Sequence, residues 1–425
     1  MNDRQNMESL LGGYRVLDLA DEKGLLCGRI LGDLGADVIK IERPGGDPAR
    51  NIGPFYKDTP HPEKSLFWFY TNASKRGITL NLETADGRDI FKRLVKTAHF
   101  VVESFEPGYM ASLGLGYPDL EKLNPAIVMT SVTPFGQTGP HAHYKGADIV
   151  GVGMGGIMRI YGDRDRPPVR TSQPQFYFLG CLHGALGSIV AHYHRELTGE
   201  GQYVDTSCQD AATMALMTAA EYWDILKVNY VRSGAYSFFP KKPPEPPLYR
   251  RNIYPVKDGY ILTLLMGGAL AGMVTSSKRI VEMANRDGMC LDLKDYDWTK
   301  LDYATVYQKE MDSITGPLAQ FFLTKAKREL FDEAVKRSIM LCPVTTVKDV
   351  AENPQLAIRE FWVGVEHPEL GETITYPGAP VRVPEFPWRI TRRAPRIGEH
   401  NLEVYEGEMG FTREQLTLLK ARGVI

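Results

Sequence analysis

Two hydrophobic rhythms alternate along the first 215 residues: short apolar runs, and stretches whose apolar positions recur every three to four residues. Tyr14–Leu19 predicts a first buried strand. Leu25, Leu26, Ile30, Leu31 and Leu34 share one helical face, which Gly35 terminates. Ala36–Glu42 predicts a second strand, carried by Val38, Ile39 and Ile41. A strand–helix–strand unit of this kind builds a parallel sheet with a right-handed crossover. Further strands are predicted at Ile78–Leu82, His99–Glu103 and Ile127–Val132, with a helix over Gly87–Lys96. A long helix over Leu179–Leu197, rich in Gly and Ala, a strand at Tyr203–Ser207 and a helix over Gln209–Ile225 follow. The alternation predicts a doubly wound α/β domain.

The rhythm then breaks. Pro240, Pro243, Pro244, Pro246 and Pro247 fall between Phe239 and Leu248, a density that no helix or central strand accommodates. Residues 226–252 are therefore expected to be an extended linker leaving a large domain of residues 1–225. A smaller domain is expected over 253–343, with a strand at Gly259–Leu265 and mainly helical material from Thr275 to Arg337. Residues 344–425 are expected to return to the large domain. Pro380–Pro395 is a second proline-rich stretch, and Thr412–Ala421 a final helix. The length of 425 residues agrees with two domains, since single cores stop growing near 250–300 residues.

Composition narrows the classes. Fifty Lys and Arg against fifty-two Asp and Glu leave a net charge of -2, which gives no pull toward nucleic acid or an anionic membrane. No apolar run reaches the roughly 18–20 residues that span a bilayer, and the polar segment Met1–Ser9 has no signal core. Cys27, Cys181, Cys208, Cys290 and Cys342 form no CxxC pair. This set predicts free thiols, a cytoplasmic location and no metal.

The turn after the first strand reads Ala20-Asp21-Glu22-Lys23-Gly24. With one glycine and two carboxylates it is neither a dinucleotide fingerprint nor a P-loop. In an open α/β sheet, ligands bind beyond the carboxyl ends of the strands. Arg43 follows the second strand, Lys75 and Arg76 are expected in a turn before the third, and Lys145 precedes a glycine-rich stretch. Each is a candidate for an anionic ligand or an ordinary surface cation. Gly151–Gly156, and likewise Gly267-Gly268, serve either close ligand approach or tight packing.

Several segments, in order, resemble the family III CoA-transferases. They are Val16-Leu17-Asp18-Leu19, Leu34 to Pro44, Lys75-Arg76-Gly77-Ile78-Thr79-Leu80-Asn81-Leu82, and Val102-Glu103-Ser104-Phe105-Glu106-Pro107-Gly108, the last similar to that family's ENFxPG loop. Leu123-Asn124-Pro125, Thr198 to Gln202, Asn353 to Leu356, Glu366 to Gly371 and Gly398-Glu399-His400 extend the resemblance over nearly the whole chain. It implies a Rossmann-like large domain made of both chain ends, a smaller α/β domain between them, and two chains threaded as linked rings. It also implies CoA thioesters as substrates, with no tightly bound cofactor. Lys23, Arg43, Lys75, Arg76, Ser104, Phe105 and Lys145 are the implied CoA-binding residues, and Gly267-Gly268 the implied glycine loop.

The family's chemistry requires an aspartate that attacks the acyl-CoA to give a mixed anhydride and then an enzyme thioester. The resemblance places Tyr177 at that position, between Phe176 and Phe178. No Asp or Glu occurs between Val169 and Arg195. A phenol with a pKa of about 10 does not form that anhydride. Asp21 and Glu22 would also face phosphates, and Ser112 stands where some relatives carry an arginine. The resemblance therefore implies a non-catalytic subunit, whose homologous partner supplies the aspartate, in an enzyme moving CoA from succinyl-CoA to an aromatic succinate. Two alternatives stand beside it: a homodimeric acyl-CoA racemase-like enzyme using His183 as acid or base, and a CoA-binding scaffold without catalysis.

Overall fold

The computed structural model describes residues 9–241, 244–268, 271–383, 385 and 388–425, so Pro243 and the segment Met1–Glu8 lie outside the described residues. The chain forms two compact units. The larger comprises residues up to Gly155, Ser172–Ala215 and Pro354–Ile425; the smaller comprises Gly156–Thr171 and Leu216–Asn353.

The larger unit opens with β1 (Arg15–Asp18), α1 (Leu25–Asp33), β2 (Asp37–Glu42), α2 (Leu66–Asn72), β3 (Lys75–Thr79), α3 (Ala85–Val95) and β4 (Phe100–Glu103). It continues through α4 (Tyr109–Ser112), α5 (Tyr117–Leu123), β5 (Val128–Thr133) and α6 (Asp148–Met154). After α7 (Ile157–Ile160), which belongs to the smaller unit, it resumes with α8 (Phe176–Thr198), β6 (Tyr203–Ser207) and α9 (Cys208–Met214). Six strands form one sheet in the order β3-β2-β1-β4-β5-β6, and every pair is parallel. This is the doubly wound order, with its switch point between β1 and β4.

Small residues let helices approach the sheet. A Cβ on Gly28 of α1 would lie 2.2 Å from an oxygen of Asp18, and one on Gly184 of α8 would lie 3.0 Å from Val132. The Thr130 and Ser188 hydroxyls are 2.7 Å apart on the buried side of α8. The glycines of 151–156 serve packing: a Cβ on Gly151 would overlap the Phe176 ring at 2.2 Å, and one on Gly155 would meet Ala212 at 2.8 Å.

The third strand begins three residues earlier than the apolar pattern predicts. Lys75 and Arg76 are its first two residues, not a turn before it, and both are buried. The Lys75 ammonium donates to Asp18 Oδ2 at 2.6 Å, to the Leu25 carbonyl at 2.8 Å and to Asn72 Oδ1 at 2.9 Å. Burial holds its pKa below the ordinary lysine range against the opposing pull of Asp18. Arg76 donates to Asp37 at 2.9 and 2.6 Å and to Glu403 at 2.8 Å. It thereby fastens the π-helical turn Leu402–Glu408 to the amino end of the sheet.

The helix expected over Gln209–Ile225 is broken. Met217 has φ 52°, a left-handed conformation that interrupts a helix, and α9 ends at Met214. In the smaller unit follow α10 (Ala219–Leu226), β7 (Tyr236–Phe239), β8 (Leu248–Arg251), β9 (Ile253–Val256), β10 (Gly259–Thr263), α11 (Ala271–Arg286), α12 (Gln308–Leu323), α13 (Lys327–Arg337), β11 (Leu341–Pro343) and α14 (Val347–Ala351). The stretch expected as a linker, 226–252, thus holds a hairpin directly after the end of α10, since β7 and β8 pair antiparallel on either side of the prolines. Arg232 ties residues 156–171 to this unit by donating to the carbonyls of Asp163 at 3.0 Å and Arg166 at 2.8 Å. Its sheet is antiparallel, in the order β11-β10-β9, over a core that includes Tyr254, Trp298, Phe321 and Phe322.

The chain returns to the larger unit as α15 (Pro354–Ile358), the hairpin β12 (Trp362–His367) and β13 (Glu372–Pro377), and α16 (Arg413–Ala421), whose Thr412 and Gln415 form a capping box. The return completes the sheet's core. Tyr405 donates to the Thr79 carbonyl at 2.7 Å, and Val404, Val424 and Ile425 are buried.

Replacing Lys75 by Met leaves Asp18 buried and uncompensated, a loss expected to cost about 3–5 kcal/mol. Urea unfolding of the variant measures it. A variant of native stability with weakened CoA affinity would return Lys75 to the ligand cleft.

Candidate active-site cleft

The switch point between β1 and β4 opens at the carboxyl ends of these strands, where residues 19–24 and 104–108 leave the sheet. Two cavities, of about 300 and 220 Å³, share Phe105 as a lining residue. The first is lined by Asp21, Arg43, Leu80 and Tyr109 among others; the second by Lys23, Pro134, Tyr144, Lys145 and Gly146. Arg43 and Lys145 are exposed and Lys23 half-buried. The cleft thus gathers Lys23, Arg43, Phe105 and Lys145.

Ser104 is buried beneath this cleft. Its Oγ accepts from the Asp21 N–H at 2.9 Å and donates to Asp21 Oδ1 at 2.6 Å. The Lys23 N–H also donates to Oδ1, at 3.2 Å, and the Lys23 ammonium pairs with Oδ2. The Cys181 thiol donates to the Lys23 carbonyl at 3.1 Å. Lys40 supports the loop from below, bonding the Ala20 carbonyl and pairing with Asp47 at 3.1 Å. Burial opposes its charge, but Asp47, Asp18 and Glu42 hold its pKa above the ordinary lysine range.

Lys75 and Arg76 do not join this cleft. They enter β3 at its amino end, the end of a parallel sheet away from the ligand crevice, and their donors are engaged internally. Gly267 and Gly268 belong to the smaller unit. A Cβ on Gly267 would lie 2.4 Å from that of Leu301, and the Gly268 N–H donates to the Trp298 carbonyl at 3.1 Å, so both serve local packing. Ser112 is exposed and donates to the Tyr109 carbonyl at 2.7 Å.

Tyr177 lies in the first turn of α8, 6% exposed. The helix start is held by Asp148, whose Oδ1 accepts the Phe176 N–H at 3.0 Å. A Cβ on Gly146 would sit 3.4 Å from the Tyr177 hydroxyl, which puts the phenol beside the second cavity. Burial, followed by Cys208, Glu22 and Asp21, pushes the phenol above the ordinary tyrosine range. The phenol therefore stays protonated near pH 7. His183 directs Nδ1 at the Leu179 carbonyl, 2.8 Å away within α8, which occupies that nitrogen in a helix-internal hydrogen bond.

The chain matches the model for CoA-transferase family III over residues 11–401. It belongs to that family. It is 35% identical over 414 residues to a subunit of succinyl-CoA:(R)-benzylsuccinate CoA-transferase from Thauera aromatica, covering 97% of each chain. It is 30% identical to the succinyl-CoA–D-citramalate CoA-transferase of Chloroflexus aurantiacus, covering 98% of each. Among solved structures, a CaiB/BaiF family protein from Brucella suis superposes with a TM-score of 0.78 at 26% identity, covering 94% of this chain and all of that one. Members of this family of CoA-transferases take CoA thioesters as substrates. No group of three or more His, Cys, Asp or Glu among the described residues is arranged to hold a metal, and no described helix is long and apolar enough to cross a membrane.

One residue of this family III cleft escapes the sequence pattern. Glu103 closes β4 and is buried, and its Oε2 accepts the Phe105 N–H at 2.7 Å. It therefore anchors the ring that separates the two cavities. Its signal in the sequence is a carboxylate ending the apolar run Phe100-Val101-Val102. Burial raises its pKa from 4.5 to about 7. Folding thus takes up a proton, so this contribution to stability is complete below about pH 4.5 and lost as pH rises through 7. The stability of the native chain relative to Glu103→Gln should fall by about 3 kcal/mol over that window. Urea denaturation at both ends of it is the check, and a flat difference would refute the burial argument.

Proposed function

We propose that this chain is the non-catalytic subunit of a heteromeric family III CoA-transferase. The assembly moves CoA from succinyl-CoA to an aromatic succinate such as (R)-benzylsuccinate, in the cytoplasm. A homologous partner supplies the aspartate. Tyr177 carries this reading: it stands where the family resemblance expects the nucleophile, in a segment free of carboxylates from Val169 to Arg195. Of the three acids whose charge reaches it, Glu22, Asp21 and Asp148, two are held by named partners. Asp21 holds Lys23 and Ser104, and Asp148 holds the first N–H of α8.

A partner of the same fold has a surface to meet. Leu182, Leu186, Val190, Tyr193 and Leu197 form an exposed apolar stripe at helical spacing along α8. The word "subunit" in the name of the Thauera aromatica relative agrees with an assembly of unlike chains. The proposal includes two large domains held by interlocked chains. The acceptor follows from the same relative, whose name specifies (R)-benzylsuccinate.

Purified alone, the chain should transfer no CoA from succinyl-CoA to (R)-benzylsuccinate. Co-expression with an aspartate-bearing homologue should restore transfer. Hydroxylamine trapping during turnover should modify an aspartate of the homologue and nothing on this chain. Tyr177→Phe in the assembly should retain turnover within about twofold, as expected for a side chain that makes no transition-state contact. Unaided turnover by this chain, or trapping on it, would overturn the reading.

A further inference from the structure

Three donors of the kind that bind a phosphate come from buried Ser104 and from Lys23, which lines the second cavity, and meet at Asp21, which lines the first: the Ser104 hydroxyl, the Lys23 N–H and the Lys23 ammonium. All three are directed at Asp21. Its Oδ1 takes the hydroxyl at 2.6 Å and the N–H at 3.2 Å, and its Oδ2 takes the ammonium. The carboxylate is itself held, since its own N–H donates back to Ser104 at 2.9 Å. We propose that Asp21 is a built-in anion that fills the phosphate position of this chain's own cleft and closes that cleft to CoA. The inference deepens the reading of this chain as the aspartate-lacking subunit, and rests on it for the identity of the excluded ligand.

Electrostatics around the loop reinforce the exclusion. An incoming phosphate must separate Lys23 from Asp21 and then face the Asp21 charge in a partly desolvated site, where like charges are poorly screened. The same cavity is also lined by Glu42, Asp47 and Glu83, against Arg43 as its exposed cation. Glu42 and Asp47 are neutralised by Arg50 and Lys40, at 2.6 and 3.1 Å. Glu22 adjoins the loop, and burial, then Asp21, raises its carboxyl pKa. The loop therefore sets a second carboxylate next to Asp21. Arg43 and Lys145 remain outside the Asp21 pair, so removing one carboxylate is enough to reopen a phosphate site. Asp21 acts here as a specificity-determining residue that directs CoA to the partner's cleft.

The test is CoA binding to the full-length chain by isothermal titration, with 3′,5′-ADP as a second probe of the phosphate contacts. Asp21→Asn keeps the shape and removes the charge, and should tighten CoA binding on the order of tenfold or more. The gain should weaken as salt is raised, and should vanish in Asp21→Asn/Lys23→Ala. Asp21→Ser provides the same comparison should the first variant fold poorly, and thermal unfolding of each variant controls for damage to the loop. Native chain and Asp21→Asn binding CoA equally, or Asp21→Asn binding it more weakly, would overturn the inference. The two ideas fail separately. An inactive co-expressed assembly sinks the subunit reading whatever this chain binds, whereas unchanged affinity in Asp21→Asn sinks the plug even in an active assembly.

Discussion

The cleft depends on two ammonium groups buried inside a parallel sheet. Lys75 reaches from β3 to Asp18 at the end of β1, and on the way fixes the first carbonyl of α1 and the last side chain of α2. Asp18 then accepts the Ala20 N–H at 3.0 Å, and Lys40 holds the Ala20 carbonyl from the neighbouring strand. The loop that follows starts from a point fixed on both its donor and its acceptor. Burying such charges is costly unless each is paired and bonded; Lys75 has three partners, and Lys40 pairs with Asp47 as well as the Ala20 carbonyl. The residue types at these positions answer to the loop's placement more than to any ligand. Gly28 belongs to the same arrangement, because only its missing side chain lets α1 lie against Asp18.

Most of the large unit was readable because β1, β2, β4 and β5 are buried and carry short apolar runs. β1, β2, β4, β5 and β6 fall where the apolar runs put them. β3 is displaced because its first residues are charged: apolar patterning does not register a lysine and an arginine whose partners come from β1, β2 and the C-terminal turn. That shift of three residues also explains why two expected ligand residues belong to the frame. In the smaller unit the prolines hid a hairpin, since they occupy the connection between β7 and β8 and leave both strands free to pair. The hairpin of β12 and β13 was missed because Glu366, Glu369 and Glu372 interrupt its apolar pattern.

The site divides in the same way. Lys23, Arg43, Phe105 and Lys145 come together as expected, because each lies on a loop leaving the carboxyl end of a sheet strand or the stretch after it. Glu103 and the role of Asp21 depend on distances no spacing rule supplies. Tyr177 needed both views. Its identity is plain in the chain, while its burial and its place beside Gly146 and the second cavity are visible only in the structure. The α/β frame carries both cavities at the carboxyl ends of its strands.

The closing contact between Tyr405 and the last carbonyl of β3 spans 326 residues of chain. During translation all six sheet strands emerge well before the segment that covers them, and the whole of Leu216–Asn353 is synthesised in between. The smaller unit has its own core and is complete first. The sheet, with all its strands made, must wait with apolar surface uncovered, a period in which nascent chains of this length are exposed to aggregation. The inserted unit is thus synthesised in full before the domain that encloses it in the chain.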